Sequence, residues 1–188
     1  MPRPSISELL IYDEVHPQGA GSSREEKLFL FSLLRMIEPW SVLEIGVSRG
    51  HMTAWLALAL YMNGRGKLTS VDNWSRAHGG EANGPEYAQK RLKELKLQNY
   101  VEFKKSDSYE YLKEQPDDSF DVVWVDGDHS FEGARKDIDE AMRVAKRLVG
   151  VHDTHQKYDG PRKAVMDLAM EAGFWVEGGR GIWLLNLC

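Results

Sequence analysis

The chain has 188 residues, 42% of them hydrophobic, which is enough for one domain with a sizeable core and too few for two comfortable ones. Its 24 basic and 29 acidic side chains leave a net charge of −5, which argues against nonspecific attraction to nucleic acid or to an anionic membrane. The one cysteine, Cys188, allows no disulfide within the chain, and the acidic start MPRPSISELLIYDEVHPQ lacks the apolar centre of a signal peptide, so a cytoplasmic protein in a reducing compartment is expected.

From Arg24 to Glu38 the apolar residues Leu28, Phe29, Phe31, Leu33, Leu34 and Ile37 recur at helical spacing until Pro39 stops the pattern. Ser41 to Val47 is a short apolar run that reads as a strand, and His51 to Gly64 as a helix ending at glycine. A second strand is expected over Lys67 to Trp74. After it, Ser75 to Gly84 is a polar, glycine-rich loop with the composition of a lid that orders on ligand binding, and Pro85 then suits the first position of a helix. YVEFKK is the third strand, followed by a short helix around Tyr109 to Glu114. FDVVWVD is the fourth, apolar enough for burial on both faces. A long amphipathic helix is predicted over Phe131 to Leu148, a fifth strand over Leu148 to His155, and a helix over Gly160 to Ala172. The tail FWVEGGRGIWLLNL carries a hairpin signal at Glu177-Gly178-Gly179-Arg180.

Strands alternating with helices predict right-handed βαβ units and a mostly parallel, doubly wound sheet with helices on both faces, to which the hairpin adds antiparallel pairing. Ligands bind such sheets outside the carboxyl ends of the strands. There the sequence places Glu44, Asp72, Asp126, His129, His152 and Asp153, and VVWVDGDHSF thus sets its charges at the mouth of a crevice. In LEIGVSRGHMTAW, Gly46 permits a tight turn and Gly50 a close approach of the next helix. A dinucleotide fingerprint would need glycine at positions 48 and 51, which are Ser48 and His51. The acidic Glu44 suits an ammonium or sulfonium better than a pyrophosphate, and Asp72 can accept from both hydroxyls of a ribose. Each motif alone is also compatible with an ordinary βα turn and a helix-capping Asp.

On these two motifs the chain resembles the class I S-adenosylmethionine-dependent methyltransferases, over roughly residues 40–187. EIGVSRG is similar to their glycine-rich first motif, with Ser48 in place of the usual middle glycine, and SVDNW to their acidic second motif. The resemblance implies a seven-stranded Rossmann-like core over residues 40–188 behind an N-terminal helical extension, residues 1–39, in a single domain. It also implies the methionine moiety near Glu44 and Gly46, with Ser48 and Gly50 in the same loop, the ribose on Asp72 beside Asn73 and Trp74, and the adenine near Ser106, Asp107 and Ser108. VDGDHSFEGARKDIDEAM with VHDTH further resembles the metal-dependent branch that methylates hydroxyls of small molecules and sugars, related to macrolide-sugar methyltransferases and cephalosporin-hydroxylase-like proteins. That likeness implies magnesium or another divalent cation on Asp126, His152 and Asp153, with His129 as base and Asp126 in the catalytic set. His152 stands where relatives carry Glu, and imidazole is the poorer magnesium ligand.

The expected partner is therefore a small-molecule hydroxyl acceptor, a sugar among the candidates, and a homo-oligomer is compatible with the reading. Other interpretations stay open at this point. Asp128 and Ser130 are good helix-cap residues, Trp74 stacks on the adenine or anchors its loop, and His129 serves as base or only satisfies a strand end. A noncatalytic S-adenosylmethionine-binding module, or a metal-dependent hydrolase built on Asp126, His129, His152, Asp153 and His155, would use the same residues.

Overall fold

The computed structural model describes residues 4–15, 21–75, 84–155, 159–168, 173–176 and 179–187. A helix that the sequence patterns did not single out, α1 (Ile6–Val15), precedes the first expected one, α2 (Arg24–Ile37). α2 starts at a capping box in which Ser23 accepts from the Glu26 amide while the Glu26 carboxylate takes the Ser23 amide, and it stops where Glu38 turns left-handed before Pro39. The order then runs β1 (Ser41–Ile45), α3 (His51–Asn63), β2 (Lys67–Asp72), α4 (Pro85–Glu94), β3 (Val101–Lys105), α5 (Ser108–Lys113), β4 (Phe120–Val125), α6 (Phe131–Val144), β5 (Ala145–His152), α7 (Asp159–Asp167), β6 (Gly173–Val176) and β7 (Ile182–Asn186).

The strands form one seven-stranded sheet in the order β3-β2-β1-β4-β5-β7-β6. The first five are parallel, and β7 joins β5 and β6 antiparallel, as the hairpin signal requires. Apolar layers cover both faces: one gathers Leu34, Val42, Trp55 and Leu60 under α1, α2 and α3, the other Leu43, Ile45, Ile138 and Val149 under α5, α6 and α7. Among the described residues no helix is long and apolar enough to cross a membrane.

Several boundaries differ from the sequence reading. The long helix ends at Val144 and not at Leu148, because Ala145 is already extended and pairs with Phe120, so the fifth strand begins three residues early and closes at His152. The first strand ends at Ile45, since Gly46 takes φ +87°, and the second ends at Asp72, two residues before Trp74 at φ +49°. Of the expected lid, Ser75 to Gly84, residues 76–83 lie outside the described residues.

Register explains where the site falls. Ile45 pairs with both Val71 and Val125, and Val125 pairs with Val151, so these strands end at one level. The residues that follow, Gly46, Asp72 and Asp126, together with His152, therefore line up along one edge of the sheet. The strand order reverses between β1 and β4, the place where α/β sheets open a ligand crevice.

Candidate active site

The loop between β1 and α3 is held by a carboxylate. Asp72 accepts from the backbone amides of Val47 and Ser48 at 2.8 Å through one oxygen and from the Trp74 amide at 2.6 Å through the other. Gly46 is required by contact as well as by its φ: a Cβ there would lie 1.9 Å from the carbonyl oxygen of Asp126. At Gly50 a Cβ would meet that of Ala88 at 2.6 Å. Ser48 adopts φ +51°, the left-handed conformation that a glycine would take without strain, so the departure from the usual motif changes the side chain and keeps the turn.

The crevice over these strand ends measures about 730 Å³, within the range of small-molecule sites. Of the residues singled out from sequence, Gly46, Ser48, Asp72, Asn73, Trp74, Asp107, Ser108, Asp126 and His129 line it. Glu44 does not. Strand alternation turns it toward α3, where it is fully buried and accepts from Thr53 at 2.8 Å and Ser70 at 2.7 Å. Burial pushes its carboxyl up to about 8 against the help of those hydroxyls, with Asp126 and Asp72 adding to the rise. Glu44 therefore lies beneath the crevice floor and not in its lining. Gly50 acts from behind the loop, and Ser106 is tied to β2 by its amide on the Asp72 carbonyl.

Trp74 is buried among Val47, Ala88 and Phe103 and donates its indole N–H to the Ser48 carbonyl, which makes it the anchor of the loop. Asp107 caps α5 by accepting from the amides of Tyr109 and Glu110. Ser108 donates to Asp137 at 2.7 Å, and burial raises the Asp137 carboxyl to about 6. Ser130, not Asp128, is the cap of α6, while Asp128 accepts the Ser130 amide.

Beyond β4 and β5 the charged groups converge. His152 Nδ1 lies 3.1 Å from Asp126 and 3.5 Å from Asp153, and its Nε2 faces Glu26 at 3.3 Å, too obliquely for a full hydrogen bond. His129 Nε2 sits 3.2 Å from Asp153 and 3.5 Å from Asp126. Arg180, brought by the turn before β7, meets Asp153 at 3.3 Å. Desolvation opposes a charge on His152, but Asp126, Glu26 and Asp153 outweigh it and push the imidazole up to about 10. Burial likewise works against ionisation of Asp126, yet His152 and His129 hold it well below the usual carboxylate range. Asp153, which has φ +56°, is raised by desolvation and by Asp126. Three carboxylates thus surround one position that demands positive charge.

Asp126, His152 and Asp153 each offer a ligand atom, all within 4.8 Å of one another. Local motifs gave no sign of Glu26 and Arg180, which complete this cluster. The only sequence signal was the capping pattern Ser23-x-x-Glu26, which marks a helix start and says nothing of what else the carboxylate reaches. Glu26 also accepts from the amides of Arg180 and Gly181, so one side chain joins the start of α2, the hairpin turn and His152. His155 stays off the crevice lining, its amide bonded to the Arg180 carbonyl.

Strand order, register and crevice define a Rossmann-like α/β fold of the methyltransferase type. A methyltransferase-domain family model matches residues 43–154, and the chain belongs to that family. No curated protein matches it in sequence. Among solved structures, cofactor-bound Rv0187 from MTB is similar at 20% identity and a TM-score of 0.72, over 97% of this chain and 89% of that one. The O-methyltransferase from Bacillus cereus in complex with SAH gives 16% identity and 0.70 over 97% and 90%. The O-methyltransferase TomG from Streptomyces achromogenes, in complex with SAM, gives 23% and 0.66 over 98% and 89%. At such identities the likeness is one of fold. Family membership sets the hydrolase alternative aside.

Proposed function

We propose that the protein transfers the methyl group of S-adenosylmethionine to a hydroxyl of a small molecule, with His129 as base and a divalent cation held by Asp126, His152 and Asp153. The observation that carries this reading is the convergence of these four side chains beside the Gly46–Gly50 loop. Similar structures described as O-methyltransferases with SAM or SAH support the donor and the acceptor atom. In this reading residues 1–188 act as one domain, because Glu26 of the N-terminal segment bears on His152.

The donor set fits a cation. His152 turns Nδ1 toward Asp126 and Asp153 while the Glu26 carboxylate stands 3.3 Å from Nε2, from where it would help to orient the ring on a bound ion. One nitrogen among the donors moves the preference from magnesium toward a first-row transition ion such as manganese. Bound there, the ion would orient the acceptor and lower the pKa of its hydroxyl.

The remaining work falls to the chain itself. The loop braced by Asp72 presents bare backbone to the donor, and Asn73, Asp107 and Ser108 offer polar groups to its nucleoside. The acceptor oxygen attacks the sulfonium methyl in line, a C–O bond forms as the C–S bond breaks, and the demethylated thioether leaves. The hydroxyl proton passes to the imidazole of His129, and the resulting imidazolium is stabilised by Asp153 and Asp126, which lie 3.2 Å and 3.5 Å from its Nε2. Transfer of labelled methyl groups to a panel of small polyols and phenols tests the reaction. His129→Ala should slow it by about 10²–10⁴ with donor binding retained, and a fully active variant would remove His129 from the mechanism.

A further inference from the structure

A second buried polar cluster lies away from the crevice, behind the loop that faces the donor. Its centre is Asp13 of α1. One carboxylate oxygen accepts from Lys27 at 3.0 Å and from the Trp55 indole at 2.9 Å, the other from His51 Nδ1 at 3.1 Å and Arg91 at 3.3 Å. The donors come from α2, α3 and α4, and Lys27, His51 and Arg91 are buried.

The hydrogen positions follow from chemistry. Arg91 Nη2 lies 2.6 Å from His51 Nε2, and a guanidinium has only donors to give, so Nε2 is the acceptor and the ring proton sits on Nδ1, directed at Asp13. His51 is thus neutral in a single tautomer, in keeping with a pKa that desolvation draws down to about 4. Arg91 also donates Nε to the Arg49 carbonyl at 3.3 Å, and His51 follows Gly50 directly. Both neighbours of Gly50 are therefore held by groups that converge on Asp13.

This clamp adds to the apolar contacts of α1, in which Ile6, Leu10 and Tyr12 pack beside Leu9. Leu9 is the helix's one buried residue, while Ile11 and Val15 are 59% and 67% exposed. Without the Asp13 carboxylate, two buried cations would lose their shared counterion, and the arrangement of Arg91 against Arg49 and His51 would lose its reason to persist.

We infer that Asp13 is a positioning residue for the methyl donor: through His51 and Arg91, the N-terminal helix keeps the Val47–Gly50 loop in the shape that receives it. The inference rests on the reading that this loop binds S-adenosylmethionine.

Calorimetric titration with the demethylated donor, alongside amide hydrogen exchange of the ligand-free proteins, tests it on wild type, Asp13→Asn, Arg91→Lys and Val144→Ala. Asp13→Asn should weaken donor binding by about tenfold, a typical coupling between linked sites. Arg91→Lys keeps a cation for Asp13 but loses the links to Arg49 and His51, so it should do the same. Exchange at residues 47–50 should quicken in both. Val144→Ala destabilises the fold at a remote core position and should leave donor affinity within about twofold of wild type. If both loop-linked variants lose thermal stability alone, with donor affinity and exchange at residues 47–50 unchanged, Asp13 is a packing residue and the inference fails. A wild type that binds no donor would overturn the reading of the crevice instead, and exchange at residues 47–50 would still decide whether Asp13 holds the loop.

Discussion

Asp72→Asn changes one atom and removes a charge, and its cost can be worked out from three hydrogen bonds. The native carboxylate accepts at both ends, from Val47 and Ser48 at one and from Trp74 at the other. A carboxamide accepts at one end only. The cheaper rotamer keeps its oxygen on the Val47 and Ser48 amides and turns NH₂ against the Trp74 amide, donor against donor. Two charge-assisted bonds then become neutral, and one partly buried amide loses its partner. At about 1–3 kcal/mol for a stranded buried donor and about 0.5–1 kcal/mol for each of the two weakened bonds, the loss is about 2–5 kcal/mol. Urea denaturation of wild type and variant measures it directly, and titration with the demethylated donor should show weakened binding as the loop loosens. A variant as stable as wild type, with unchanged donor affinity, would refute the argument that this carboxylate holds the loop.

Gly46→Ala should destabilise by about 3–5 kcal/mol, since the left-handed φ and a backbone carbonyl 1.9 Å from the new methyl both oppose it; a thermal melt within a degree or two of wild type would contradict the contact. Glu44 titrates near 8 in the fold against about 4.5 when unfolded, so the native state holds the extra proton, and the stability due to this group falls as pH rises from about 4.5 through 8. Glu44→Gln should therefore gain stability relative to wild type over that interval, and parallel stability–pH curves would show that the carboxyl is not protonated in the fold. If the proposed cation binds at Asp126, His152 and Asp153, Glu26→Gln should lower its affinity by about 10–100-fold, read by calorimetry with manganese, and unaltered affinity would separate Glu26 from that proposed site.

Much of the architecture was legible because its signals are local. Gly46, Pro85 and Pro39 punctuate the chain where elements begin or end, and the apolar run FDVVWV announced a central strand. The boundary at Val144 was not legible, because AKRLVGVH continues the helix's composition and only pairing with β4 and β7 draws it into the sheet. α1 escaped notice because its sequence, ISELLIYDEV, gathers no clean apolar stripe, and its attachment depends on Asp13 meeting donors 14 to 78 positions away. The strand-end positions of Asp72, Asp126 and His152 are legible from the apolar runs that precede them. Glu44 lies at the end of β1 as its strand run suggests, but alternation sets it on the face of Val42, opposite Leu43 and Ile45, so its side chain enters a helix layer. Glu26 and Arg180 could not be found, since the contact that matters to each is made across more than 25 residues of chain.

The central claim is that the crevice at the ends of β1, β2 and β4 holds S-adenosylmethionine. Isothermal titration of the purified chain with S-adenosylmethionine and its demethylated product, with manganese and after chelation, addresses it most directly. One site for either ligand, lost or weakened in Asp72→Asn and present with or without the ion, is the predicted result, whereas heat traces indistinguishable from dilution for both ligands under both conditions would contradict it.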